Sequence, residues 1–286
     1  KRQVAVSFTA VSCDNYLDIE PDGKVIPKTV EDYRMVLTNA YSKYPTHKSL
    51  TALRTDEVTL NEYSNDFISY REIAQWKDTN PDQISIQFPW VSFYTVIFYA
   101  NQIINEGPKT MENSAEKDQL LAEAYALRAY AYFDLVNLYG KPYNSATAST
   151  DKGVPLNLKV DLEATLKPSS VQEVYNHIES DLAQATELMK MDQELAGLNY
   201  RFSNVALNAL EARIALYKNE WQKAIDFSDS TLKIKGDLVN LNTTKQVPNH
   251  YTSAESILAL DNTLNPAVQY MAYVSPELLS SYDTQN

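Results

Sequence analysis

Residues 127–144 read LRAYAYFDLVNLYGKPYN, residues 152–161 read KGVPLNLKVD, and residues 167–189 read KPSSVQEVYNHIESDLAQATELM. Two long helical patterns thus bracket a loop punctuated by Tyr139-Gly140-Lys141-Pro142-Tyr143 and Gly153-Val154-Pro155-Leu156. The first pattern spans 116–139. Leu120, Ala124, Leu127, Ala131, Leu135 and Leu138 form one stripe; Leu121, Tyr125, Tyr132 and Val136 form a second. A helix apolar over most of its circumference belongs in the middle of a bundle. Arg128 therefore needs a carboxylate, because a buried unpaired guanidinium is too costly. The second pattern spans 170–191. Ser170 and Glu173 make a capping box at its start, and Val171, Val174, Tyr175, Ile178, Leu182, Ala185 and Met189 share a face. No cluster of catalytic residues sits on this stretch, and its architecture suits a carrier or receptor better than an enzyme.

Working toward the N-terminus, Pro89 to Gly107-Pro108 carries helical spacing at Trp90, Tyr94, Ile97, Asn101 and Ile104, which predicts a helix over 90–106 stopped by the Gly-Pro pair. Residues 46–89 hold no sustained period and read as a long irregular segment, a length that in a compact domain points to function or disorder. Thr29 to Asp32 is a helix start, with Val30, Tyr33, Leu37, Ala40, Tyr41 and Tyr44 in helical register until Pro45. Residues 14–28 are polar, contain two prolines and read as an extended tether.

Toward the C-terminus, residues 203–235 form two helices around a tight turn at Asn219, closed by Gly236. The run Ala212 to Ile225 is built like half of a tetratricopeptide (TPR) repeat, without the even spacing of a regular solenoid. In 251–286, SILAL and AVQYMAYV read as short strands, and Ser275 caps a short helix that opens at Pro276. The expected class is mostly α: a helical bundle on TPR-like helix pairs with long irregular insertions and a few short strands.

Composition narrows the function. The 286 residues carry a formal net charge of -12, which argues against nucleic acid, since phosphate binding needs a basic footprint. With 6 glycines, phosphate-cradling loops are not expected, and the 20 tyrosines suit helix interfaces and half-wet binding surfaces. His47, His177 and His250 lack metal spacing, and His177 reads as structural. Asp78-x-Asn80-x-Asp82 starts like a calcium loop, but Gln83 replaces its glycine and Pro89 its final glutamate. No metal or cofactor is expected. Lys1-Arg2, the apolar or small residues 4–11 and Ser12-Cys13 look like the end of a lipoprotein signal with Cys13 as the lipidated residue. An ordinary strand with a buried cysteine is the other reading.

In order along the chain come Ser12 to Ile19, Thr29 to Asp32, Arg54-Thr55-Asp56-Glu57, Trp90 to Asn101, Arg128 to Gly140, Gly153 to Leu156, Val171 to Leu182 and the helix of Trp221 and Ala224. In this order they resemble the SusD/RagB family of outer-membrane lipoproteins of Bacteroidetes. The resemblance implies a signal remnant over 1–13, the tether over 14–28 and a SusD-like α domain over 29–286. It also implies a lipid anchor at the cell surface and a SusC-like TonB-dependent transporter as partner. Oligosaccharides, or in some members peptides, would be captured without catalysis or cofactor. Members are usually longer, so part of the family's C-terminal region is expected to lie outside this sequence.

For a glycan, sugar C–H faces need flat aromatic rings, and hydroxyls need planar amide, carboxylate or guanidinium groups. The segment 61–82 supplies both in Tyr63, Tyr70, Arg71, Trp76, Asp78 and Asn80, which are the candidate ligand residues. Trp90 and Trp221 lie on helical stripes and are expected in the core. Two other functions fit the residues. One is a TPR-like protein-interaction scaffold with a groove along 203–235. The other is a glycoside hydrolase, for which Asp56 and Glu57 would be the carboxylates to test.

Overall fold

A computed structural model describes residues 26–77, 82–160, 165–245, 247, 250–260 and 266–282. Cys13 and nearly all of the tether therefore lie outside the described residues, as do Asp78 and Asn80. The described chain is mostly helical. In order it forms α1 (Val30–Ser42), α2 (Lys48–Ala52), β1 (Val58–Leu60), α3 (Phe67–Ala74), α4 (Trp90–Thr110) and α5 (Ala115–Tyr139). Then follow β2 (Lys152–Pro155), β3 (Pro168–Ser170), α6 (Val171–Leu188), α7 (Asn204–Tyr217) and α8 (Trp221–Ile234), and finally α9 (Pro266–Met271), β4 (Ala272–Val274) and α10 (Pro276–Ser280).

α5 is the axis of the bundle. α1, α4 and α6 pack around it, and Leu120, Leu127, Leu135 and Tyr132 are fully enclosed. Enclosure forces every charge on α5 to find partners. Arg128 donates twice to Asp181 of α6, Nε to Oδ2 at 2.8 Å and Nη2 to Oδ1 at 2.7 Å, and once to Asn101 Oδ1 of α4 at 2.7 Å. Glu123 accepts from Arg34 at 2.9 Å and from the Tyr41 hydroxyl at 3.1 Å. Asp134 accepts from the Tyr44 hydroxyl at 2.7 Å and lies 3.3 Å from His47 Nε2. Burial raises the Asp134 carboxyl above its usual range despite His47 and that hydrogen bond. For Asp181, the hydrogen bonds and charges of Arg128 and His177 overcome burial and hold the carboxyl low.

Both capping boxes form. The Thr29 and Ser170 hydroxyls accept from Asp32 and Glu173 amides, and those carboxylates accept from the cap amides. The punctuated loop becomes a two-stranded antiparallel ribbon of β2 and β3. Gly153 is needed there because a Cβ would stand 3.1 Å from the Ser169 carbonyl oxygen. The ribbon's exit is tied down reciprocally: Tyr132 Oη donates to the Asn157 carbonyl at 2.9 Å and accepts from the Asn157 amide at 2.8 Å.

Several expectations need correction. Gly107-Pro108 does not stop α4, which runs to Thr110. The fixed φ of proline fits a last helical turn, and Lys117 Nζ gathers the Pro108 and Met111 carbonyls that this end leaves unpaired. α6 ends at Leu188, short of 191. Residues 46–89 contain α2, β1 and α3, of which the helices, with five and eight residues, are too short to print a period. SILAL is irregular and joins no ladder; its Ala259 amide donates to the Asn199 carbonyl at 2.8 Å. AVQYMAYV is part helix, part strand: its β-rich composition hides α9, and only β4 pairs, antiparallel to β1. Gly236 does not take the left-handed conformation. Trp90 and Trp221 are 37% and 58% exposed rather than core. Trp90 rests edge-on against Tyr139 at the mouth of the bundle. Trp221 sits on α8, which packs chiefly on α7 and leaves its other faces open.

Candidate functional site

Beside the bundle lies a smaller hydrophobic cluster of Leu50, Leu53, Tyr70, Ile73 and Met271, which joins α2, α3 and α9. On this base sits an open groove of about 310 Å³. Arg54, Asp56, Glu62, Arg71, Gln75 and Trp76 line it. The residues come from the end of α2, the β1 region and α3 with its C-terminal turn.

Trp76 is the most informative of them. α3 ends in a Schellman motif: the Lys77 amide donates to the Glu72 carbonyl at 2.9 Å and the Trp76 amide to the Ile73 carbonyl at 3.1 Å. The residue between these bonds must be left-handed, a place usually filled by glycine. Trp76 has φ of 55° there. The other left-handed non-glycine residue described, Asn219, closes the same motif after α7, and asparagine tolerates that conformation where a bulky aromatic does not. The Trp76 ring is nevertheless 64% exposed. It is supported by Arg54, whose guanidinium lies 4.6 Å from the Trp76 ring and 4.8 Å from the Phe88 ring. Arg54 is itself fixed by donation from Nε to the Ile73 carbonyl at 3.1 Å.

The segment beside the groove is held as firmly. Glu72 accepts from the Ser85 hydroxyl at 2.7 Å and the Asp82 amide at 2.8 Å, closing the 82–85 segment onto α3. Those bonds hold the Glu72 carboxyl below its ordinary range. Arg71 Nη2 lies 3.5 Å from Asp82 Oδ2, and its enclosed Nε finds no acceptor among the described residues. A rigid ring therefore stands beside a guanidinium, an amide and two carboxylates. That arrangement is chemically able to stack an apolar face and hydrogen-bond hydroxyls at its edge.

Of the residues expected to meet a ligand, Arg71 and Trp76 line the groove. Tyr70 is 5% exposed and belongs to the base cluster, because it lies on the inward face of α3. Tyr63 is 95% exposed on the 61–66 turn and does not line the groove. Asp56 lines the groove while Glu57 does not, and both give their carbonyls to the Ser275 cap of α10. Arg54, Glu62 and Gln75 were not among the expected ligand residues. The sandwich that positions Arg54 joins residues 22 and 34 positions away, and no local period reports such a contact. His177 lies 3.3 Å from Asp181 inside the bundle, away from the groove. Among the described residues no group of three or more His, Cys, Asp or Glu side chains could hold a metal ion, and no helix is long and apolar enough to cross a membrane.

A helical bundle with an open, aromatic and polar groove on its flank suits a binding protein, and comparison with known proteins assigns the family. A family model described as starch-binding and associating with the outer membrane, SusD-like, matches residues 15–216. SusD-like protein P38 of Formosa agariphila is 30% identical over 223 residues, covering 74% of this chain and 41% of its own length. The solved structure of a SusD superfamily protein from Bacteroides vulgatus superposes with a TM-score of 0.71 at 20% identity, over 89% of this chain and 63% of that one. A structure named as a laminarin-binding SusD-like protein gives 0.62 at 22% identity, over 78% and 47%. The chain belongs to the SusD-like family, a carbohydrate-binding family associated with the outer membrane. It spans about half the length, or less, of the curated relatives it matches.

Proposed function

We infer that this chain captures an oligosaccharide at the cell surface, held there by a lipid on Cys13, and passes it without chemistry to a SusC-like TonB-dependent transporter. The observation that carries the binding role is Trp76: an exposed ring in a position that suits glycine, braced by Arg54 and flanked by Arg71, Gln75, Asp56 and Glu62. The ring packs on Arg54 alone among the contacts described and is otherwise open, and strain of this kind concentrates at ligand sites. The laminarin-binding name of one structural neighbour supports a glucan as the first ligand to try.

Titration of the purified chain with a panel of soluble oligosaccharides tests this. Saturable binding is expected with at least one, weakened roughly tenfold by Trp76→Ala and again by Arg71→Ala. Binding to no member of the panel would overturn the reading. Release of reducing ends, lost on Asp56→Asn, would replace it with hydrolysis. For the partner, solubilised outer membranes are passed over the immobilised protein. Retention of a TonB-dependent transporter is expected; retention of soluble proteins alone would favour a scaffold built on α7 and α8.

A further inference from the structure

The short helix α2 has a site at each end. Leu53 follows its C-terminus in the groove, and Lys48 at its N-terminus lines a separate cavity of about 220 Å³. That cavity lies between α2, α5, α7 and the irregular 255–258 segment. One side is aliphatic, from Ala206, Ala209, Leu210, Ile257 and Leu258, and the other is polar and aromatic, from Lys48, Tyr130, Arg213 and Glu255. It is larger than the ~150 Å³ that admits benzene, so it has room for about six to nine carbon atoms.

The cavity also holds positive charge. Lys48 Nζ donates to the Tyr130 hydroxyl at 2.6 Å. Arg213 stands exposed at the rim and makes no hydrogen bond or ion pair with any described residue. Neither nearby carboxylate forms an ion pair with Arg213. Glu255 accepts from the Val239 amide at 2.8 Å, and Asp134 accepts from Tyr44 and faces His47. Arg213 acts on Asp134 only through charge at a distance. The Arg213 guanidinium, with no acceptor among the described residues, leaves a place for an incoming anion.

The outer wall is already ordered. Asn199 Nδ2 donates to the Tyr251 carbonyl at 2.8 Å and to the Ser256 hydroxyl at 3.2 Å, and the Asn199 carbonyl accepts from the Ala259 amide at 2.8 Å. A preformed wall reduces the ordering cost of binding.

We propose that the Lys48–Arg213 cavity binds a carboxylate carried on a small apolar body, the aliphatic part filling the space under Leu210 and Leu258 and the carboxylate meeting Arg213. Two sources present this chemistry: a free monocarboxylic acid, and the C-terminal residue of a polypeptide ending in an apolar side chain. The site is separate from the oligosaccharide groove and does not depend on it.

Calorimetry or NMR titration of the full chain with N-acetyl-leucine, its amide, hexanoate and a tetrapeptide ending in leucine tests the proposal. N-acetyl-leucine should bind with a Kd of about 1 mM, the value for roughly a dozen non-hydrogen atoms at ordinary efficiency. The amide should bind at least tenfold more weakly. Arg213→Gln should weaken the acid at least tenfold with circular dichroism and Tm unchanged, since Arg213 is exposed. Ala209→Phe should block the cavity and abolish binding. A tetrapeptide tenfold tighter than both free acids assigns the polypeptide source, and equal affinities assign the free acid. The proposal is overturned if the amide equals the acid, if Arg213→Gln binds normally, or if no acid saturates by roughly twenty times the expected Kd.

Discussion

Trp76 sits where its own backbone would be more comfortable with glycine. Trp76→Gly and Trp76→Ala both remove the ring, but only glycine removes the left-handed penalty. Thermal or denaturant unfolding should therefore show the glycine variant about 1 kcal/mol more stable than the alanine variant, while both lose oligosaccharide affinity. An alanine variant equal to or better than glycine would deny the strain. Arg128 is the opposite case, with every contact favourable and none dispensable. Asp181→Asn leaves a buried guanidinium without its countercharge and should cost about 3–5 kcal/mol, read as a lowered midpoint in urea. That Arg128 needs a carboxylate is legible from the stripe it shares on α5. That Asp181 supplies it, 53 residues later, is not, because pairing across helices leaves no trace in local spacing. Trp76 and Arg71 are legible as candidates by residue type. Tyr70 is not separable from them until α3 shows which face points inward.

At the scale of elements, long helices announce themselves and short ones do not. α5 carries seven turns of apolar pattern, and α6 carries both a pattern and a capping box, so each is found to within a few residues. α2, α3 and α9 offer five to eight residues, too few to distinguish a helical period from a strand. The groove is built from these short pieces, which is why its position is less legible than the bundle's. The α6–α7 contact carries a pH dependence. Burial, together with the charge of Glu179, pushes Glu211 up to about 7. Its folded pKa exceeds the ordinary glutamate value of 4.5, so the folded state favours the protonated form. The resulting stabilisation is full below about pH 4.5 and is lost as pH rises through 7. Glu211→Gln should stay neutral and flatten that part of the stability curve, by about 1–2 kcal/mol after allowance for partial exposure. An unchanged slope between pH 5 and 8 would show that Glu211 titrates normally. Loss of the α6 cap by Ser170→Ala should cost about 1 kcal/mol.

For the whole molecule, the stabilising core and the proposed binding sites are in different places. The bundle around α5 is enclosed, and the buried charges of α5, Lys117, Glu123, Arg128 and Asp134, are all hydrogen-bonded. The groove and the Lys48–Arg213 cavity lie to either end of α2, on its margin. Substitutions on the open face of α8 should be nearly silent for folding: Ile225→Lys, at a site 53% exposed, is expected to change stability by no more than about 0.5 kcal/mol. A larger loss would mean that the face is covered in solution. The left-handed turn after α3 has one more consequence. If ligand contact is all that keeps a tryptophan there, drift will erase it wherever that contact is not under selection. Sister sequences with glycine or asparagine at this turn should be those that no longer grip a sugar at this edge, so this one position sorts binders from non-binders without a structure of either.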